Sequence, residues 1–193
     1  MLLNILNNNY SLRTKILFAF IRLVSRYPVP DAAKLAFFRP EYYSNLMKKF
    51  THKAMRGNSD WSIADRELMA AFVSKLNQCP FCIGAHTATA ALAYNDKAKV
   101  SSVLSDLKTA PIEKPLKSVL QMLGKLTKEN SITAEDIHEV LSAGVSPDQI
   151  EDALAVCFAF NTTDRLANAF GFEILTPEGF EAGAKFLLKR GYR

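Results

Sequence analysis

Apolar residues recur at helical spacing along almost the whole chain, whereas the alternating pattern of half-buried strands is scarce. Helix start and stop signals separate the apolar stretches, for example the capping-box pairs Ser62 with Asp65 and Thr133 with Asp136. The pattern predicts about nine or ten helices, and eight of them span 40–55, 63–77, 80–94, 97–108, 113–128, 134–143, 147–170 and 177–189. We therefore expect a compact all-α fold.

A further helix is predicted near the N-terminus, and it is both basic and amphipathic. One of its faces carries Lys15, Arg22 and Arg26, and the other carries Leu17, Phe20, Ile21 and Val24. We predict that residues 1–37 form a basic arm and that residues 38–193 form the helical domain. Such a helix usually packs on its own domain or on a sister subunit, and contact with a membrane surface is the less favoured alternative.

Composition and charge limit the possible classes of protein. With 49% hydrophobic and 22% charged residues, the 193-residue chain is neither disordered nor collagen-like. The net charge of +5 is concentrated in residues 1–60, which hold ten Lys and Arg against three Asp and Glu. No nucleic-acid-binding motif accompanies this charge, so we expect a solvated basic face and no nucleic-acid partner.

The number of cysteines and the length of the apolar runs indicate the cellular compartment. No run of eighteen apolar residues occurs, so no membrane span is predicted, and no signal peptide is recognised. Two of the three cysteines stand in one tetrapeptide, which is typical of a cytosolic redox pair rather than of a secreted disulfide framework. We therefore predict a cytoplasmic protein.

The segment from Leu76 to Asn95 carries the candidate chemistry. It has no formal charge unless His86 is protonated, which predicts a buried central helix. Cys79, Cys82 and His86 follow one another at i, i+3 and i+7, so they share one helical face. Two thiols at this spacing can form a disulfide, and a helix N-terminus stabilises a thiolate.

The residues alone leave open which cysteine attacks a substrate. Cys79 stands at the predicted N-cap, where the helix dipole acts most strongly. Cys82 lies one turn from His86, which can exchange a proton with it. We favour Cys82 as the nucleophile and Cys79 as the resolving thiol.

Glu67 is the candidate partner of this pair. Its predicted helix face carries small residues, Ala64, Ala70, Ala71 and Ser74, so another helix can approach closely. A carboxylate shielded there is expected to have a raised pKa and to act as a proton reservoir.

The spacing of Glu67, Cys79, Cys82 and His86 resembles that of the AhpD-like alkylhydroperoxidase family, part of the carboxymuconolactone decarboxylase superfamily. The resemblance is densest over 62–93 and extends more loosely from 38 to 172. It implies an all-α fold, a peroxide-reducing dithiol, thiol-based electron donors and a homo-oligomer. In that family the second cysteine attacks, the first resolves, and the glutamate and histidine relay protons.

The sequence therefore predicts a thiol-dependent oxidoreductase that reduces organic hydroperoxides and is itself reduced by an external dithiol or a disulfide-reducing protein. Two alternatives remain open: a dithiol–disulfide relay for a separate peroxidase, and a non-catalytic redox-sensing or binding protein. No cofactor or metal is predicted, because Cys79, Cys82 and His86 offer zinc only three ligands.

The other candidate residues are interpreted as structural. Cys157 lies on an apolar helix face, which predicts a buried structural thiol. His52 and His138 stand among charged residues and are predicted to be solvated. Asn161 and Arg165 lie one turn apart and could line the site, but a structural role is favoured.

Overall fold

The computed structural model describes residues 10–38 and 45–192, and within these ranges the regular structure is entirely helical. The ten helices are α1 Leu12–Ser25, α2 Asp31–Phe38, α3 Asn45–Arg56, α4 Ile63–Leu76, α5 Pro80–Tyr94, α6 Lys97–Ser105, α7 Lys114–Glu129, α8 Ala134–Ser142, α9 Pro147–Phe170 and α10 Pro177–Arg190. The predicted all-α class is confirmed. Residues 39–44, where α3 was predicted to begin, lie outside the described ranges.

The helix boundaries follow local chemistry. The capping boxes predicted at Ser62 and Thr133 form, and Ser146 builds a third with Gln149. Helix α6 ends at Ser105, three residues before its predicted end. The reason is Asp106, which is extended (φ −149°) and whose carboxylate accepts the backbone N–H of Lys108 at 3.0 Å.

Helix α4 lies at the centre of the main core. It packs against α5, α7 and α9, and every residue from Arg66 to Ser74 is buried. Helix α5 lies between α4 and α10, and Pro80 and Leu92 are its exposed residues, so it is buried on most sides, as predicted.

A second, smaller apolar cluster joins the N-terminal helices to the domain. Leu35 of α2 is buried in it, and the Asp31 carboxylate accepts the backbone N–H of Glu173 at 2.9 Å. Helix α1 has no buried residue; its partly buried side chains include Phe18, whose ring meets Phe37 edge-on. The division of the chain at residue 37 stays a prediction.

Three side chains of the predicted apolar face of α1 are exposed, namely Leu17, Phe20 and Val24. Among the described residues, no helix is long and apolar enough to cross a membrane.

Gly84 sets the distance between α5 and α10. A Cβ atom at this position would lie 2.4 Å from the ring of Phe180, so the two helices approach closely only because the side chain is absent. The same ring packs against Phe81, one turn before the glycine.

We expect Gly84→Ala to destabilise the fold by about 1–3 kcal/mol, since Phe180 or α10 must move. Gly183→Ala is the matched control, because a Cβ there meets nothing within 4 Å, and it should stabilise by roughly 0.5–1 kcal/mol. Thermal unfolding of the two variants tests the difference. Equal melting temperatures would contradict the close approach.

Candidate active site

The corner between α4 and α5 places the first cysteine. Gln78 takes a left-handed conformation (φ 53°), and the chain reverses so that the Cys79 N–H reaches the Ser74 carbonyl at 3.1 Å. Cys79 is the N-cap of α5 and Pro80 occupies its first turn. From α9, the Asn168 amide donates to the Asn77 carbonyl at 3.2 Å. The corner is therefore fixed by its own turn and by α9.

Cys79 and Cys82 are free thiols enclosed in the second apolar cluster. Only 1% of Cys79 and 2% of Cys82 is exposed. Their apolar surroundings include Leu35, Phe81, Ala167 and Phe172. The pair is thus a buried dithiol in its reduced form, surrounded mainly by hydrocarbon.

The two thiols influence each other's ionisation. A hydrogen bond from the Cys82 thiol lowers the pKa of Cys79 and outweighs the opposing effect of burial, and the Cys82 backbone N–H adds to the lowering. The same thiol–thiol hydrogen bond, together with burial and the charge of Asp164, raises the pKa of Cys82. When one thiol ionises, the other therefore stays protonated.

Asp164 of α9 is the third group at the pair. Its carboxylate oxygen and the sulfurs of Cys79 and Cys82 lie within 4.8 Å of one another, and the side chain is fully buried. The carboxylate accepts hydrogen bonds from Ser74 Oγ and Asn77 Nδ2, each at 2.9 Å. Burial raises the pKa of Asp164, against the lowering effect of hydrogen bonds from Asn77, Cys82 and Ser74.

Glu67 is the centre of a second buried polar cluster. Its Oε1 accepts from Arg56 Nη2 at 2.6 Å and from the Tyr192 hydroxyl at 2.9 Å, and its Oε2 accepts from His86 Nδ1 at 2.7 Å. The guanidinium of Arg56 also lies over the Tyr192 ring, 5.1 Å from its centroid. Helices α3, α4 and α5 and the chain after α10 each contribute one of these side chains.

The expected raised pKa of Glu67 is wrong. Burial by itself would raise it, but the hydrogen bonds and charges of His86 and Arg56 together lower the pKa of Glu67 below its ordinary value. An ionised carboxylate only accepts hydrogen bonds, so Nδ1 of His86 carries a proton and Nε2 is left for chemistry. Glu67 therefore holds and orients His86 rather than storing a proton.

The structure brings the four predicted residues into one region as two adjoining clusters. His86 stands one turn after Cys82 on α5, and its ring meets Phe160 edge-on with centroids 4.3 Å apart. Asp164 follows Phe160 by one turn of α9, and the charge of His86 acts on it. The dithiol and the Glu67 cluster are thus linked through α5 and α9.

Sequence reasoning missed Arg56, Tyr192 and Asp164. Arg56 and Tyr192 lie in polar segments that are typical of exposed surface, and only the burial of Glu67 gives them a role. A signal for Asp164 was available. Asn161, Asp164 and Asn168 recur on one face of α9, the face that holds the α4–α5 corner.

The structure replaces one of the three zinc ligands that were considered from the sequence. Nδ1 of His86 is directed to Glu67, and Asp164 lies beside Cys79 and Cys82 in its place. Two thiols and one carboxylate leave a tetrahedral zinc ion one ligand short.

The remaining candidates have structural surroundings. Cys157 is buried, and burial raises its pKa. Asn161 accepts a hydrogen bond from Asn77 at 3.1 Å, so it supports the corner, and Arg165 is exposed and bonded to Asn161. His138 is exposed, as predicted.

His52 departs from its prediction. It was expected to be solvated, but it is half-buried and its Nδ1 accepts the backbone N–H of Tyr192 at 3.3 Å. It therefore helps to hold the segment that carries Tyr192.

Comparison with solved structures identifies this arrangement of helices as an AhpD-like fold. An uncharacterized peroxidase-related protein from Silicibacter sp. TM1040 superposes with a TM-score of 0.78 at 24% identity, covering 93% of this chain and 94% of that chain. An uncharacterized peroxidase-related protein from Ralstonia eutropha JMP134, described as an alkylhydroperoxidase AhpD core, gives 0.74 at 19% identity, with 91% of each chain covered.

Residues 41–107, about a third of the chain, match the carboxymuconolactone decarboxylase family. The matched segment contains Glu67, Cys79, Cys82 and His86. The family match therefore covers the segment that holds these four residues, and the solved structures share the AhpD-like fold around it. No curated protein matches the chain.

We expect Glu67→Gln to destabilise the protein by about 3–5 kcal/mol at pH 7, because it leaves the buried Arg56 charge without its partner. A folded-state pKa below the ordinary value of 4.5 gives stability that is present above pH 4.5 and is lost as the pH falls through the folded-state pKa. The difference in the free energy of unfolding between wild type and Glu67→Gln should therefore become smaller as the pH falls. Urea unfolding from pH 3 to 8 measures it.

Glu181→Gln is the control for this measurement. Glu181 pairs with Lys185 at 2.6 Å, but both side chains are exposed, so the substitution should leave the free energy of unfolding nearly unchanged. A loss for Glu67→Gln that is no larger than this would refute the role of Glu67 as the buried anchor.

Proposed function

We propose that this protein is a thiol-dependent oxidoreductase that reduces organic hydroperoxides through Cys79 and Cys82. The observation that carries the proposal is the pair of reduced, buried thiols that lie within 4.8 Å of each other at the N-terminus of α5. Both structural neighbours, which share the fold, are described as peroxidase-related, and this supports the same class of activity here.

The proposed cycle consumes one peroxide and one external dithiol. The thiolate of one cysteine attacks the terminal peroxide oxygen; a sulfur–oxygen bond forms and the oxygen–oxygen bond breaks. The sulfur becomes a sulfenic acid, oxidised by two electrons, and the alkoxide takes a proton and leaves as the alcohol. The second thiol condenses with the sulfenic acid to give the disulfide and water. An external dithiol then restores the pair by exchange.

His86 and Glu67 are proposed to deliver the proton to the leaving oxygen. The proton is carried on Nε2, since Nδ1 is hydrogen-bonded to Glu67. An ionised carboxylate at Nδ1 stabilises the charge on the ring while it holds two protons, as in other carboxylate–histidine pairs. Arg56 and Tyr192 are positioning residues in this scheme, because they hold Glu67 rather than touch the substrate.

The apolar surroundings of the dithiol favour an organic peroxide over a charged substrate. Phe81 and Phe172 meet edge-on beside the cysteines, with ring centroids 5.4 Å apart. Burial among such rings is favourable for a hydrocarbon chain and costly for an ionised group. We propose further that the protein works in the reducing cytoplasm, which keeps both thiols reduced, and that it forms a homo-oligomer.

We expect the reduced protein to consume cumene hydroperoxide in the presence of dithiothreitol, and Cys79→Ser and Cys82→Ser each to abolish turnover. Cys157→Ala is the matched control and should retain activity, because Cys157 lies outside the dithiol cluster. Peroxide loss is followed directly. Full activity in both serine variants would refute the proposal. Peroxide loss that appears only when a separate peroxidase is added would favour the alternative of a dithiol–disulfide relay.

Which of the two thiols ionises more easily is tested on the wild-type chain, because each single serine variant removes the hydrogen bond between the two thiols. The pKa of Cys79 is lowered and those of Cys82 and Cys157 are raised, so limited alkylation should modify Cys79 before Cys82 and leave Cys157 unmodified. Peptide mass analysis reads the order, and faster modification of Cys82 would contradict it.

The assignment of the first peroxide attack to Cys82 stays a prediction. Trapping the sulfenic acid with dimedone after a substoichiometric dose of peroxide identifies the attacking sulfur. An adduct on Cys82 would support its assignment as the nucleophile, whereas an adduct on Cys79, whose pKa is the lowered one, would exchange the two roles without changing the cycle.

A further inference from the structure

We propose that Asp164 is the proton acceptor of the Cys79–Cys82 pair: it takes the proton of the thiol that closes the disulfide, and it protonates the thiolate that leaves when the disulfide is reduced. This inference rests on the dithiol chemistry proposed above. It assigns a role to a buried carboxylate that the proton relay of Glu67 and His86 leaves unused.

The proton count of the pair requires such a group. Converting two thiols to a disulfide removes two electrons and two protons. One proton is absent from the thiol that has ionised, and the second remains on its neighbour, because a thiolate alongside opposes a second ionisation. That proton has to leave when the neighbour forms the sulfur–sulfur bond.

Bulk water is not available to take this proton. At 1% and 2% exposure, Cys79 and Cys82 are closed off from solvent by apolar side chains. Asp164, with an oxygen within 4.8 Å of both sulfurs, is close enough for direct transfer after a small side-chain rotation. Because it lies beside both sulfurs, it serves the closing thiol whichever cysteine attacks first.

The other titratable groups of this region are less suited to accept the proton of the closing thiol. His86 is held by Glu67 through Nδ1, and Glu67 is held ionised by Arg56. Cys157 is the remaining titratable side chain whose ionisation is linked to Asp164, and its own pKa is raised by burial. Asp164 is the carboxylate in contact range of the dithiol.

The immediate surroundings of Asp164 suit a group that changes its protonation. Its hydrogen-bond partners Ser74 and Asn77 are neutral, in contrast to the Arg56 charge that fixes Glu67 in its ionised form. Ser74 Oγ can donate to the carboxylate and can also accept from the protonated acid. Asp164 can therefore exist in both forms without losing its position.

The Asp164 carboxylate removes the proton of the closing thiol as its sulfur attacks the sulfenic sulfur; the sulfur–sulfur bond forms and the sulfur–oxygen bond breaks. The departing hydroxide takes the proton from Asp164 and leaves as water. On reduction, the Asp164 carboxylate takes the proton of the attacking thiol of the external dithiol as a sulfur–sulfur bond to the reductant forms, and it passes this proton to the cysteine thiolate that leaves.

A two-phase reaction with 4,4′-dithiodipyridine tests this role without any peroxide. In the full-length Cys157→Ala chain, the first thiol forms a mixed disulfide and releases one thiopyridone. The second thiol then closes the disulfide and releases another, and stopped-flow absorbance follows both phases from pH 5 to 9.

We expect Asp164→Asn to slow the second phase about 10²-fold at pH 7, the usual contribution of a positioned base, and not to slow the first. Removal of the Asp164 charge makes ionisation of the thiols easier, so Asp164→Asn should not slow the first phase. General damage to the site would slow it, and this distinguishes damage from loss of the base. Asp152→Asn, on the same helix, is the matched control and should leave both phases unchanged. An unchanged second phase in Asp164→Asn would overturn the inference.

Ser74→Ala provides a second test that keeps the carboxylate. Loss of the Ser74 hydrogen bond raises the pKa of Asp164 further, so the pH at which the second phase accelerates should move upward. A pH profile that does not move would also overturn the inference. A chain with the Asp164-dependent second phase but no peroxide turnover would refute the peroxidase proposal and leave the role of Asp164 intact.

Discussion

The interaction on which the rest of this structure depends is the neutralisation of the Glu67 carboxylate inside the core. A carboxylate excluded from water is tolerated only when donors and charges surround it, and Glu67 obtains them from Arg56, His86 and Tyr192. These side chains come from α3, from α5 and from the end of the chain. One buried charge therefore determines how segments far apart in sequence are held around α4, and it orients the histidine that adjoins the dithiol.

A second buried carboxylate, Asp164, differs from the first in its partners. Glu67 has a guanidinium and a lowered pKa, whereas Asp164 has neutral hydrogen-bond donors and a raised pKa. Two acids whose environments shift their pKa values in opposite directions are suited to different tasks in one site. The fixed charge of Glu67 suits the orientation of His86, and the variable protonation of Asp164 suits proton exchange with the sulfurs. The arrangement gives each half of a dithiol cycle its own proton route.

The parts of the structure that follow local rules could be predicted from the sequence. Capping boxes such as Ser62 with Asp65 define helix starts through contacts three residues apart, and the spacing of Cys79, Cys82 and His86 fixes a common face on any helix. The sign of the Glu67 pKa shift could not be predicted in the same way. It depends first on the hydrogen bond and charge of His86, which require α5 to pack against α4, and then on Arg56, whose charge reaches Glu67 only when α3 packs against α4. Tyr192 contributes through a contact across 125 positions of sequence, which no local pattern encodes.

The burial of the dithiol places different demands on the two halves of the proposed cycle. A peroxide is small, and its reacting oxygens need only a narrow path through apolar side chains to reach a sulfur. A reductant must approach in line with the sulfur–sulfur bond and form a mixed disulfide, which requires more room than a 1–2% exposed pair offers. Leu35 of α2 and Phe180 of α10 are part of the cover over the cysteines, and Phe180 is held against α5 at the glycine contact.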